Sequence, residues 1–157
     1  MSNDDFSKIN ITSGNNDIEI LSPSEEKNRV FLSSTDPLNN EVNLWYNTWF
    51  YHILGKDNSH EDRHYLEQTE NIKNIKRLIS NPSYILSDKK HYDRIIYIGI
   101  ARIAFLEKQD RIKPLTAVAE PSENKENSLE ICTVMVQGRI SEEINEGRRI
   151  LYDGTKS

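Results

Sequence analysis

The chain has 157 residues, of which 29% are charged and 36% hydrophobic, with a mean hydropathy of −0.71 and a formal net charge of −5. That length fits one domain with a modest core. A membrane span is not expected, because the longest apolar run, residues 95–106, is broken by Arg102 and is far shorter than the roughly 20 residues required. Cys132 is the single cysteine, so no intrachain disulfide can form, which fits a reducing compartment.

The charge is unevenly spread. Residues 1–36 carry seven acids and three bases, and residues 37–72 carry six acids and two bases. Residues 73–113 reverse the balance with ten bases and four acids, before residues 114–157 return to eight acids and five bases. A general nucleic-acid binder needs a dominant positive surface, so that class is not expected. One basic section between acidic flanks points instead to internal neutralisation within a compact fold, with a dedicated anion-binding face as the alternative.

Residues 1–35 are rich in Ser, Asn and Asp, and read as a flexible acidic segment that cannot bury enough apolar surface to order itself. Two apolar islands stand out, Ile18-Glu19-Ile20-Leu21 and Val30-Phe31-Leu32; the first alternates in part, as a strand would. No basic-then-apolar stretch opens the chain, so no conventional signal peptide is expected. The expected location is the cytoplasm, or a destination reached by a signal-peptide-independent secretion route. The Ser-, Asn- and Ile-rich start resembles, in composition only, that of bacterial secreted effectors.

Residues 36–157 read as a helical domain. Asp36-Pro37 has the form of an N-cap followed by proline at the first helical position. A first helix is predicted over 42–54, with Val42, Trp45, Tyr46, Trp49, Phe50, Ile53 and Leu54 on one face, Leu44 and Tyr51 on the other, and Gly55 as its stop. A second is predicted over 59–80, from a capping-box-like Ser59-His60-Glu61-Asp62 to Asn81-Pro82. A third, over 87–108, carries Tyr92, Ile96, Gly99, Ile103 and Leu106 in a 4-3-4-3 seam, with Gly99 admitting a close neighbour. Pro114 to Ala119 reads as a short turn. A fourth helix spans 128–152 on the periodicity of Leu129, Cys132, Val136, Ile140, Ile144, Gly147 and Leu151. The β-branched run 131–136 supports a rival reading there, a short strand near 130–136. The expected fold is mainly α, an irregular four-helix bundle behind a flexible N-terminal segment.

His60-Glu61-Asp62-Arg63-His64 matches H-E-x-x-H, in which two histidines four apart on a helix face bind zinc and the Glu activates water. On this five-residue match the segment is similar to the zinc metalloproteases. The similarity implies His60 and His64 as ligands, Glu67 as a third one turn on (His52 or His91 being alternatives), and Glu61 as catalytic base. Asp62 and Arg63 depart from that family's small or apolar middle positions and point to a solvated helix start. Glu61-x-x-His64 also has the di-iron bundle spacing, but no second such pair exists in the chain. Cys132 falls on an apolar stripe, where an inert core thiol is expected.

The aromatic cluster Trp45, Tyr46, Trp49, Phe50 and Tyr51 reads first as core and second as a recognition surface, with Leu44, Tyr51, Trp45 and Trp49 as interface candidates. The function expected from these residues is therefore non-enzymatic: a small module that binds another protein, without cofactor. The alternative is a zinc-dependent hydrolase.

Overall fold

A computed structural model describes residues 9–11, 18–20, 29–55, 61–88, 93–105, 109–123, 125–136 and 149–155. These residues form a mixed sheet with one α-helix, not a helical bundle. In chain order the strands are β1 (Ile9–Ile11), β2 (Ile18–Ile20), β3 (Val30–Thr35) and β4 (Glu41–Trp45). A π-helical segment (Thr48–Ile53), a 3-10 segment (Glu61–Glu67) and helix α1 (Thr69–Ser80) follow. Strands β5 (Tyr84–Ser87), β6 (Ile95–Ile103), β7 (Arg111–Pro121), β8 (Ser128–Val136) and β9 (Ile150–Asp153) complete the chain. The order across the sheet is β2-β1-β3-β4-β8-β7-β6-β5-β9. Strands β1 and β3 run parallel, as do β4 and β8, and every other neighbouring pair is antiparallel.

Each predicted helix meets a different physical outcome. The first gives way to β4 and the π-helical segment. Asp36 closes the β3–β4 hairpin instead of capping a helix: its Oδ1 accepts from the backbone N–H of Leu38 and of Asn40. Pro37 suits the second position of such a turn, and Asn39 supplies the positive φ of 67° that an Asn tolerates. The predicted second helix divides into the 3-10 segment and α1, which ends at Asn81-Pro82 as its breaker residues require.

The third helix is strand β6, whose nine residues Ile95–Ile103 pair in unbroken register with Arg111–Ala119 of β7. Ile96 and Gly99 therefore face opposite sides of a sheet, not one seam. The turn expected at Pro114 to Ala119 is the middle of β7. In the region of the fourth helix lie β8 and β9; the rival strand near 130–136 is the form observed. Residues 137–148, in the centre of that predicted helix, lie outside the described residues.

The main core lies on one sheet face. There Leu32, Val42, Leu44, Tyr97, Ile103, Leu115 and Ala117 meet Trp49 and Ile53 of the π-helical segment and Ile72, Ile75, Leu78 and Ile79 of α1. Helix α1 touches both β3 and β6. Three strands separate those two, about 19 Å across a flat sheet at the usual strand spacing, wider than a helix. The sheet therefore curls round α1, and register shifts that leave an extra residue in β3, β8 and β9 provide bends. The Tyr97 hydroxyl on β6 donates to Asp36 Oδ2 at 2.5 Å, tying the β3–β4 turn to β6 across the concave side. A smaller cluster of Leu86, Ile96 and Ile98 is buried on the opposite face. The folded unit includes β3, whose Phe31 and Leu32 are in the core, although the sequence reading assigns them to the flexible segment.

Candidate interaction surface

Strands β6 and β7 outrun their neighbours. Pairing with β5 stops at Ile98, and pairing of β7 with β8 stops at Leu115. Beyond those points, among the described residues, Ile100–Ile103 and Arg111–Pro114 pair only with each other, as a two-stranded ribbon. Pro114 is tolerated in this strand because it faces Ile100 where the β6–β7 ladder makes no hydrogen bond. Strand alternation puts Gly99, Ala101 and Ile103 on the α1 side and Ile100 and Arg102 on the other. With Ile100 and Arg102 stand their cross-strand partners Pro114 and Ile112.

Helix α1 serves as the missing neighbour for one edge of this ribbon. It runs antiparallel to β6, and its asparagines substitute for a strand. Asn71 Nδ2 donates to the Ala104 carbonyl at 2.7 Å, while its Oδ1 accepts from the Ala104 N–H at 2.9 Å. One turn on, Asn74 Nδ2 donates to the Arg102 carbonyl at 2.8 Å. Buried amides on the apolar side of a helix are costly unless paired, and here they satisfy backbone groups that β5 is too short to reach.

Between Ile98, whose carbonyl accepts from Ser83 N–H, and Arg102, capped by Asn74, the edge is open among the described residues. Alternate residues of a strand present their N–H and C=O to the same side, so those of Ile100 point outward there. They line a recess of about 230 Å3 with Asn74, Arg77, Leu78, Asn81, Ser83, Gly99, Ala101 and Leu115. Asn74 Oδ1 accepts from Arg77 Nη1 at 3.2 Å and holds the guanidinium at the rim.

On the far face the apolar surface is uncovered. Ile98 is fully buried, yet Ile100, two residues further along the same face, is 60% exposed, and Ile112 is 65% exposed. Arg102 is exposed beside them; Arg111 and Lys113, paired with Ile103 and Ala101, belong to the α1 side of the ribbon.

The residues singled out by sequence are scattered. Leu44 and Trp49 are fully buried within this chain, so as interface candidates they are replaced by core residues. Trp45 is half-buried and Tyr51 is 38% exposed. An aromatic ladder joins Tyr51 to the interior: Phe31 stacks on Trp49 at 4.9 Å and meets Tyr46 edge-on at 6.2 Å, Tyr46 stacks on Phe50 at 5.7 Å, and Phe50 meets Tyr51 edge-on at 4.9 Å.

His60 and His91 lie outside the described residues, as does the side chain of Glu61. The H-E-x-x-H segment is 3-10 rather than α-helical from Glu61 to Glu67. Residues three apart eclipse in that geometry, so His64 shares a face with Glu67 and residues four apart diverge. His64 is half-buried, Glu67 is buried and His52 is exposed. No group of three His, Cys, Asp or Glu that could hold a metal occurs among the described residues. Cys132 is half-buried beside Glu120 and Arg94, where burial first and the Glu120 charge second push its thiol up to about 11.

Ile100, Ile112, Asn74 and Arg77 were not legible as a site in the sequence. The one signal was the repeat Asn71-Ile72-Lys73-Asn74-Ile75-Lys76, which puts two amides beside two core isoleucines. Comparison with protein-family models, curated proteins and solved structures finds no match for the chain. No helix among the described residues is long and apolar enough to cross a membrane.

Proposed function

We propose that this chain is a non-enzymatic module that binds another protein, and that the partner docks on the outer face of the β6–β7 ribbon. The step in exposure from Ile98 to Ile100 and Ile112 carries this reading. Two large aliphatic side chains lie uncovered on a rigid paired ribbon, next to a buried apolar cluster on the same face. Contiguous exposed apolar surface rimmed by polar groups marks interaction sites, and arginine at the rim favours them further. Arg102, exposed on that same face, calls for a partner that sets a carboxylate beside its apolar residues, since complementary charge steers encounter and fixes register.

The test is affinity capture followed by reconstitution with the purified partner. Exchanging Ile100 and Ile112 together for Ser should leave the melting curve unchanged and weaken the reconstituted complex about tenfold or more, the loss expected from emptying an interface hot spot. The affinity should also fall with added salt. A partner that binds the double variant as tightly as the wild type, or the failure of any protein to bind, overturns the proposal.

A further inference from the structure

The open edge at Ile100 has the chemistry of a small, directional acceptor site, and its contents narrow what it takes. The recess of about 230 Å3 is smaller than the roughly 300–1,000 Å3 of drug-sized ligand pockets, yet larger than the cavity of about 150 Å3 that accommodates benzene. It suits a group of amino-acid size. Its charge is positive: Arg77 makes no ion pair with a carboxylate among the described residues, and Lys73, one turn back on α1, is exposed. Salt bridges Arg94–Glu120 and Lys125–Glu41 involve other parts of the sheet.

A bare anion satisfies only half of this site. Arg77 and the Ile100 N–H are donors, but the Ile100 carbonyl points the same way and needs a donor in return. A carboxylate with an N–H on the adjoining carbon meets all three, whereas inorganic phosphate leaves the carbonyl unpaired. We infer that the recess binds the terminal residue of an extended chain: its carboxylate lies between Arg77 and the Ile100 N–H, and its own N–H donates to the Ile100 carbonyl. Leu78, Leu115 and Gly99 form the apolar floor beneath its side chain. The site extends the β6 edge by one residue, a short form of strand addition combined with carboxylate capture. As the docking point of a partner's C-terminus it rests on the protein-binding reading; as a site for a free N-acylated amino acid the chemistry is the same.

The experiment is an amide-resolved NMR titration of the full chain with four probes: N-acetyl-alanine, N-acetyl-alaninamide, an acetylated tetra-alanine with a free carboxylate, and inorganic phosphate. Both free carboxylates should move the Ile100 amide and Arg77 Nε–H signals saturably. The neutral amide should bind about tenfold more weakly or worse, as loss of a charge-assisted hydrogen bond implies. Arg77→Gln, at an exposed position that should leave melting unchanged, should weaken both carboxylates to a similar degree. Tighter binding of the tetrapeptide identifies a chain terminus as the natural source; equal binding identifies a free N-acylated amino acid. Ile112→Ser separates the two proposals, because it should impair partner binding while leaving the tetrapeptide titration unchanged. Signals at Ile100 that do not move, that phosphate moves equally, or that move equally in Arg77→Gln overturn the assignment.

Discussion

Tyr97 and Cys132 both hold their protons more tightly in the fold than in water, for related reasons. Burial is the larger cause for each; the Asp36 carboxylate adds to it for Tyr97, and Glu120 does so for Cys132. Both groups are acids whose neutral form the fold prefers, so the unfolded chain releases its proton first as pH rises. The Cys132 contribution is complete below its ordinary value of 9.0 and is lost as pH rises towards about 11. That of Tyr97 begins to be lost above its ordinary value of 10.0. Stability should therefore fall steadily as the solution is made alkaline beyond pH 9. Tyr97→Phe should cost about 1.5–3 kcal/mol at neutral pH, the worth of a hydrogen bond to a charged group, and should flatten the alkaline fall. Urea unfolding at pH 7 and pH 10.5 measures both effects. A variant as sensitive to alkali as the wild type would place the titration elsewhere.

Strand β6 is the element on which the structure turns. Its α1-facing residues are selected by contact: a Cβ on Gly99 would lie 2.9 Å from Leu78 Cδ1, so the glycine sets how closely helix and strand approach. The close neighbour expected of Gly99 is thus present, as a helix against a strand. Ile103 on the same face is fully buried, whereas Arg102 is exposed. Ile103→Ala should cost about 2–5 kcal/mol for the truncated core side chain. Gly99→Leu should cost about 1–3 kcal/mol through overpacking, although part can be relieved by rotation of the Leu78 terminus. Arg102→Ala should stay below about 0.5 kcal/mol, as an exposed position away from such features. Denaturant midpoints of the three variants check this ranking. An Arg102→Ala variant less stable than Ile103→Ala would mean that the strand is turned the other way.

At the scale of the molecule, the curl of the sheet makes distant segments interdependent. Strand β3 is hydrogen-bonded along β4, packs against α1, and stacks Phe31 on Trp49. A chain starting at Asp36 loses all of these together, and should show neither a cooperative melt nor the wild-type circular dichroism. A chain starting at Ser22 lacks β1 and β2, of which β1 pairs with β3, among the described residues, at Ile11 with Leu32. It should keep a cooperative transition. Equal melting temperatures for both truncations would show that β3 is dispensable.

Some of this protein is decided by local chemistry and was therefore readable in the sequence. Helix α1 is one case, because Ile72, Ile75 and Ile79 recur at helical spacing and Asn81-Pro82 cannot continue a helix. The alternation at Ile18-Glu19-Ile20 and the β-branched run 131–136 are others. What misled the periodicity was burial on both faces and bulging. Strand β6 has apolar neighbours above and below, so Ile95-Ile96-Tyr97-Ile98 shows no alternation, and an unbroken apolar run matches a helical seam as easily as a strand. In β8 the register shift beside Cys132 makes the core-facing sequence Leu129, Ile131, Val134, steps of two then three that break the alternation by which a strand is recognised. The site was further from reach. Ile100 is exposed because β5 ends at Tyr84, and Arg77 flanks its backbone because α1 lies along β6. Both facts depend on which strands pair and how far they extend, and pairing between distant segments leaves no mark on the residues of either one alone.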